Sequence, residues 1–236
     1  MDYQYSIVLP CYNPIVNWQE IVLQNFTAVK AAYSDMRFQL IIVNDGSTTN
    51  LTDAFNYLSE KIEELEIISY HTNSGKGYAL RKGVERASGA YILFTDIDFP
   101  YTMDSFFSIM QELAQGGEVV IGIKDSSYYD QIPLGRKLVS KSLRAMIRTM
   151  LRMHITDTQC GLKGFSNTVK SQFLSTQINR YLFDLEFIYN LEQEKKFHLI
   201  AKEIKLRDNI QLTKTSLTLL VPELINFVKI VAKRWL

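Results

Sequence analysis

The stretch of this chain best suited to chemistry is Tyr91-Ile-Leu-Phe-Thr-Asp96-Ile-Asp98, an apolar run that ends in two carboxylates one residue apart. The run has the composition of a strand, and in an open parallel sheet ligands collect outside the carboxyl ends of the strands. Asp96 and Asp98 would then stand at the mouth of a crevice, where together they can hold a hard divalent cation against a diphosphate. That is the anatomy of a nucleotide-sugar site. An isolated Asp-x-Asp more often only closes a strand in a turn, so the reading rests on the residues that accompany it.

Three further segments carry polar groups in patterned company. Asn73-Ser-Gly-Lys76-Gly-Tyr-Ala-Leu-Arg81 follows a strand-like run and opens a helix. Its glycines let the turn pass close to a ligand, and the first helical amides with Lys76 favour an anion. The spacing is neither that of a Walker loop nor that of a dinucleotide fingerprint. Residues 156–166 form a polar, glycine-broken stretch in which Asp157, Gln159 and Lys163 could face a ligand, or in which Asp157 simply makes an Asx-type turn. Farther on, Asp184 and Glu186 sit among large apolar residues, where a carboxylate is costly without a partner. Basic residues, such as those of the preceding helix, would hold them, or they are poised for function.

The elements that must position these groups alternate in type. Strand-like runs at Ser6–Pro10, Leu40–Asn44, Glu66–Tyr70, Tyr91–Asp96 and Glu118–Ile123 are separated by helix-like segments at Trp18–Tyr33, Leu51–Glu63, Gly77–Ala87 and Ser105–Gln115. This pattern predicts an α/β fold with a mostly parallel sheet and helices on both faces. After residue 124 the alternation breaks down. Gly135–Met153 reads as a helix with Leu138, Val139, Leu143, Met146, Ile147, Met150 and Leu151 on one side and Lys137, Lys141, Arg144, Arg148 and Arg152 on the other, with Arg136 beside them. Solvated helices usually mix signs to gain i,i+4 pairs; an all-cationic face points to an anionic surface or substrate. Near the end, Pro222 can start a helix with an apolar stripe of Leu224, Phe227, Val228, Val231 and Trp235. The chain thus divides into a nucleotide-sugar-binding part at 1–124, an acceptor-side part of the same domain at 125–210, and a terminal amphipathic helix at 211–236.

Composition bounds the alternatives. A chain of 236 residues with 47% hydrophobic and 22% charged residues can bury a sizeable core and is not disordered. A formal net charge of +1 gives no global attraction to nucleic acid, and the basic helix lacks the interleaved aromatics of a stacking platform. Cys11 and Cys160 make no disulfide framework and no zinc-type spacing, which sets a reducing compartment as the default. Met1 to Ser6 carries no basic region followed by an apolar one, and no window holds the roughly 18 apolar residues of a spanning helix. The expectation is a cytoplasmic protein, peripheral on the inner face of a membrane.

In order along the chain, Ser6-Ile-Val-Leu-Pro10-Cys-Tyr12-Asn13, Ile42-Val-Asn-Asp45-Gly-Ser47, Asn73 to Ala79, Asp96-Ile-Asp98, Asp157-Thr-Gln-Cys-Gly-Leu-Lys163 and Phe183-Asp-Leu-Glu186 resemble the successive motifs of family-2 inverting glycosyltransferases. The Asp-Thr-Gln-Cys-Gly and Phe-Asp-x-Glu elements are similar to those of the polyprenyl-phosphate branch, first its dolichyl-phosphate glucosyltransferases and then its mannosyltransferases. The likeness spans roughly residues 5 to 205. It implies the A-type glycosyltransferase fold with amphipathic interfacial helices. It also implies that Pro10, Tyr12, Asn13 and Asp45 cradle base and ribose, with Lys76 nearby, and that Asp96 and Asp98 carry Mg²⁺ or Mn²⁺ on the diphosphate. The donor implied is a nucleoside-diphosphate sugar, UDP-glucose ahead of GDP-mannose, and the acceptor a polyprenyl-phosphate lipid. Arg136, Arg144 and Lys163 would position the acceptor phosphate. Oligomeric state is not legible.

The chain departs from that pattern at Pro14, where Glu is common, at Asn44, where the first Asp of Asp-Asp-Gly-Ser stands, and at Pro100, where the mannosyltransferases offer a metal ligand. Lys124 replaces an Arg, and Lys214-Thr-Ser216 is only a loose counterpart of the usual Gly-Ser-Lys. A phosphate acceptor is already anionic and needs no strong base. A sugar-hydroxyl acceptor, as in polysaccharide or glycolipid synthesis, would need one, and Asp157 is then the candidate. A non-catalytic nucleotide-sugar-binding subunit is the remaining alternative.

Overall fold

The computed structural model of the chain describes residues 3–125, 128, 134–208 and 220–233, with the side chains of residues 134, 136 and 220 excepted. Five strands fall where the alternation places them: β1 (Tyr3–Cys11), β2 (Phe38–Asp45), β3 (Leu65–Tyr70), β4 (Gly89–Phe94) and β5 (Val119–Lys124). The intervening helices are α1 (Trp18–Ala32), α2 (Thr52–Lys61), α3 (Lys76–Arg86) and α4 (Met103–Ala114). Near-continuous apolar strands such as Leu40-Ile-Ile-Val43, buried on both faces, are what a parallel sheet covered by helices requires. One face packs Val8, Ile41, Val43, Ile92 and Phe94 against α3 and the second half of the chain. The other packs Ile7, Leu9, Leu40 and Ile42 against α1, α2 and α4.

The second half supplies α5 (Leu134–Met146), a π-helical turn at Ile147–Leu151, β6 (Lys163–Ser166), a 3₁₀ turn at Asn167–Val169, α6 (Lys170–Leu174), α7 (Phe183–Glu194), β7 (Leu199–Ile204) and α8 (Leu220–Lys233). The sheet order is β3-β2-β1-β4-β6-β5-β7. Strand β6 runs antiparallel to both neighbours, with Phe94 opposite Lys163 and Ile121 opposite Lys163 across the two ladders. Residues 163–166, expected to continue a loop, thus form an internal strand. With only four residues and glycine at its second position, β6 offers no alternating pattern to read.

The basic helix also differs from expectation. Leu143, Met146, Ile147 and Leu151 turn inward, whereas Leu138, Val139 and Met150 are exposed; the π turn shifts the inward face after Met146 and turns Met150 out. In α8, Phe227, Ile230 and Val231 dock on the core while Leu224 and Val228 face out with Val221 and Ile225, so the stripe read from the sequence is split between two faces. Trp235 lies outside the described residues. Two ion pairs fix α8: Glu223 with Arg180, and Lys233 with the buried Glu186. No helix among the described residues is long and apolar enough to cross a membrane.

Candidate active site

The carboxyl ends of β1 to β4 converge, and a chain of side-chain contacts links them. Asn13, in a left-handed conformation with φ 43°, accepts the Thr48 amide at 2.8 Å and the Thr49 amide at 3.3 Å, joining the β1 and β2 loops. Asn44 accepts the Ser47 amide at 3.0 Å, so the amide side chain supplies the turn acceptor that an Asp would. Asp45 is buried and accepts the Ser74 amide at 2.7 Å, the Gly75 amide at 2.9 Å and Asn73 Nδ2 at 2.9 Å. Its carboxylate is spent on the loop that carries Lys76. Asp45 thus ties the end of β2 to the start of α3. Beside it, the Tyr12 ring is 49% exposed and open to stack on a base, and Pro10 is half-buried at the end of β1.

The start of α3 corrects a second expectation. Gly75, at φ 102°, lets the loop pass against the Asn179 carbonyl, where any Cβ would collide. That carbonyl accepts the Gly77 amide at 2.8 Å and the Tyr78 amide at 3.2 Å. These first helical amides are capped by the chain itself and are not open to an anion. Arg81 fixes the capping segment through the Ile178 carbonyl at 2.9 Å. What α3 offers a ligand is the Lys76 ammonium, which pairs with Asp96 Oδ1.

In the Asp96–Asp98 turn, Ile97 points inward and is 8% exposed, which leaves Asp96 and Asp98 half-buried on the crevice side. Phe99 closes the turn in a left-handed conformation, φ 45°, its amide donating to the Asp96 carbonyl at 3.0 Å. A buried aromatic at positive φ is strained, and such strain concentrates at functional sites. Burial first, then the charge of Asp96, holds the Asp98 carboxyl above the usual carboxylate range, against the opposing pull of Arg207 and Lys76. Arg207 was not anticipated from the sequence. It follows β7, its guanidinium donates to the Asp98 carbonyl at 2.6 Å, and its backbone amide donates to the Pro100 carbonyl at 2.9 Å. The signal available was a lone cation just past a strand end.

The loop before β6 closes the site from the other side. A Cβ on Gly161 would collide with Asp96 Oδ2, and the Gly161 amide donates to the Tyr101 hydroxyl at 2.9 Å. Asp157 is buried and accepts the Lys124 amide at 2.9 Å, with Lys124 Nζ 3.5 Å from its other oxygen. Lys163 is wholly buried, 2.8 Å from Asp184, and donates to the Cys160 carbonyl. It is thus a structural partner of Asp184 and is not placed to meet an acceptor phosphate. Burial raises the Asp184 carboxyl despite Lys163 and Lys76. Glu186 accepts the Gln177 and Ile178 amides, each at 2.8 Å, and Lys233. Both acidic side chains are held, Asp184 by Lys163 of β6 and Glu186 by Lys233 of α8. Arg144 is half-buried on α5, and the Arg136 side chain and Lys214-Thr-Ser216 lie outside the described residues.

Asp96 and Asp98 suit Mg²⁺ or Mn²⁺ by chemistry. They are hard oxygen donors, half-buried and electrostatically coupled. Among the described residues no cluster of three or more His, Cys, Asp or Glu completes a protein cage. Two carboxylates with the remaining positions left to water and phosphate oxygens is the usual arrangement for Mg²⁺ on a substrate phosphate.

The comparisons with known proteins agree with this geometry. Glycosyl transferase family 2 matches residues 6–172, and the chain belongs to that family. Its sheet and helices form the A-type glycosyltransferase fold. Mannosyl-3-phosphoglycerate synthase from Rubrobacter xylanophilus superposes with a TM-score of 0.69 at 16% identity over 98% of this chain and 74% of that one. Glucosyl-3-phosphoglycerate synthase from Mycobacterium tuberculosis in complex with UDP gives 0.66 at 16% identity over 98% and 80%. Among curated relatives, the dolichyl-phosphate beta-glucosyltransferase of Drosophila melanogaster is 28% identical over 211 residues, 81% of this chain and 64% of the relative. The human one is 25% identical over 210 residues, 79% and 62%. The matched region spans under two thirds of those relatives.

Proposed function

We propose that the chain transfers a glucosyl group from UDP-glucose, with inversion, to the phosphate of a polyprenyl lipid at a membrane surface. The observation that carries this reading is the gathering of Asp96, Asp98 and Lys76 at the carboxyl ends of the parallel strands, beside the exposed ring of Tyr12. The dolichyl-phosphate beta-glucosyltransferase relatives support the donor sugar and the acceptor class.

Transfer by in-line attack at the anomeric carbon expels a nucleoside diphosphate, so the site must stabilise charge that grows on the leaving oxygen. Asp96 and Asp98 would hold Mg²⁺ or Mn²⁺, which when bound supplies charge neutralisation at the diphosphate. Lys76 adds a second positive charge from α3, Tyr12 stacks on the base, and the Phe99 turn keeps both carboxylates facing the crevice. The acceptor phosphate is already anionic, so no side chain need take a proton. The engagement of Asp157 with Lys124 accords with that, since it ties up the carboxylate that a hydroxyl acceptor would use as base. The cationic residues of α5, Arg144 among them, and the exposed apolar face of α8 would lie against the membrane and guide the lipid phosphate.

Thermal-shift measurements with UDP, GDP, UDP-glucose and GDP-mannose, each with and without Mn²⁺, test the donor. A ligand that binds only the native state raises the midpoint by mass action. UDP-glucose with Mn²⁺ should give the largest rise, together with glucosyl transfer to a short-chain polyprenyl phosphate. A rise with the guanine nucleotides alone would reassign the donor, and no rise with any of them would overturn the reading.

A further inference from the structure

The chain fixes the backbone of Lys76 on both sides. Asp45 holds the Ser74 and Gly75 amides before it, and Asn179 holds the Gly77 and Tyr78 amides after it. From this fixed root the ammonium pairs directly with Asp96 Oδ1, the side chains being 20% and 39% exposed. The carboxylate suited to a divalent cation is already neutralised by a tethered one. Behind the pair lies Asp184, whose Oδ1 is 2.8 Å from Lys163 Nζ.

We infer that Lys76 is a resident counter-cation that competes with the divalent ion for Asp96 and releases it only when a donor diphosphate arrives to receive the ammonium. This rests on the reading of Asp96 and Asp98 as the metal pair and adds an order of loading to it. A bare ion must break a half-buried ion pair and leave the ammonium beside a second positive charge. With a diphosphate present, the ammonium exchanges one anion for another by turning its flexible stem, and the Asp45 and Asn179 contacts stay in place. Metal and nucleotide then each raise the other's affinity, as linkage requires. With neither bound, Lys76 relieves the repulsion between Asp96 and Asp98.

The test measures Mn²⁺ binding to the full chain by the electron-spin-resonance signal of the free ion, with and without UDP. Wild type should bind bare Mn²⁺ weakly and bind it much more tightly with UDP. Lys76→Met should bind bare Mn²⁺ at least about tenfold more tightly than wild type and lose most of the gain from UDP, while its affinity for UDP without metal falls. Lys76→Arg, which keeps the charge, should retain weak bare-ion binding, and Asp96→Asn should abolish Mn²⁺ binding in every background. If wild type takes up Mn²⁺ with UDP but Lys76→Met binds the bare ion no better, the counter-cation role is wrong and the nucleotide-sugar site stands. If no form binds Mn²⁺ with or without UDP, the site reading falls and this inference with it. Should Lys76→Met not fold, equal binding of bare Mn²⁺ by wild type with and without UDP overturns the inference.

Discussion

Two sets of charged residues, one at the strand ends of residues 3–124 and one inside the second half, use charge in opposite ways. In the first part, Asp96, Asp98 and Lys76 stand half-buried at strand ends, where they can exchange partners with a ligand. In the second, Asp157, Lys163, Asp184 and Glu186 lie inside, each engaged by the chain itself. On the proposed reading the first three groups would meet a substrate, while the other four brace the fold around them. The contrast teaches that a polar motif and a catalytic one look alike in sequence when the polar group is a buried strut, because both need specific partners at specific places.

The sharpest way to break the comparison is to remove one member of each kind. Asp98→Ala should lower glucosyl transfer by about a thousandfold or more, with the melting temperature of the free protein unchanged or raised, since a half-buried like-charge neighbour of Asp96 is removed. Steady-state transfer and thermal denaturation check this. Metal-stimulated activity retained in that variant would undo the division of labour. The second prediction is its mirror. Asp184→Asn or Lys163→Met leaves one buried charge unpaired, which costs about 3–5 kcal/mol and a fall in melting temperature of roughly 10 °C. Activity per folded molecule should change far less than with Asp98→Ala. Replacing both, with Asp184→Leu and Lys163→Met, should recover part of the loss, because a buried pair is often no better than apolar residues of similar volume.

The same contrast explains what the sequence disclosed. Strands β1 to β5 and helices α1 to α4 were legible because each strand is a short apolar run closed by polar residues and each helix carries one apolar stripe. The Asp96–Asp98 pair was legible because nothing but a turn or a site explains two acids at the end of such a run. The internal bonds of Asp45 were not legible, since no local pattern reveals that its carboxylate folds back on the Ser74 and Gly75 amides. The helix-start amides of α3 were misread for the same reason: Asn179, which caps them, is a hundred residues away in sequence. Lys163 misled because β6 is too short and glycine-bearing to show a period, so a central buried position looked like a loop. Arg207 escaped because a single cation after a weakly patterned strand carries no signal until the strand is placed.

Gly161 is where the two parts meet, and it sharpens the comparison. It belongs to the second part, yet its missing side chain makes room for Asp96 Oδ2. Gly161→Ala should displace that carboxylate by a fraction of an ångström to an ångström and lower transfer by about 10- to 100-fold. Mn²⁺ affinity should fall in parallel, while the Lys163–Asp184 pair and overall stability are little affected. A variant of normal activity would show that the second half supports the site without shaping it.

The smallest effects belong to the outer surface, where α5 and α8 can be separated by the physics each would use on a bilayer. Helix α8 is fixed on its inner side by Phe227 and Ile230 and by the Glu223–Arg180 and Lys233–Glu186 pairs, so its outward residues are not needed to hold it. Val221, Leu224, Ile225 and Val228 lie at i, i+3, i+4 and i+7 and are each more than half exposed, one stripe on one face. On α5 and its π turn, exposed Leu138, Val139 and Met150 stand among Lys141 and Arg148. Arg148→Gln and Leu224→Ser should each weaken co-sedimentation with anionic vesicles by about fivefold and change stability by no more than about 0.5 kcal/mol. Salt distinguishes the two. A surface charge acts only within the Debye length, so raising salt toward 1 M should erase the Arg148→Gln effect, whereas apolar burial is not screened and the Leu224→Ser effect should persist. If both variants respond alike, the two helices do not meet the bilayer as separate electrostatic and apolar contacts; if neither weakens binding, these faces do not form the membrane contact.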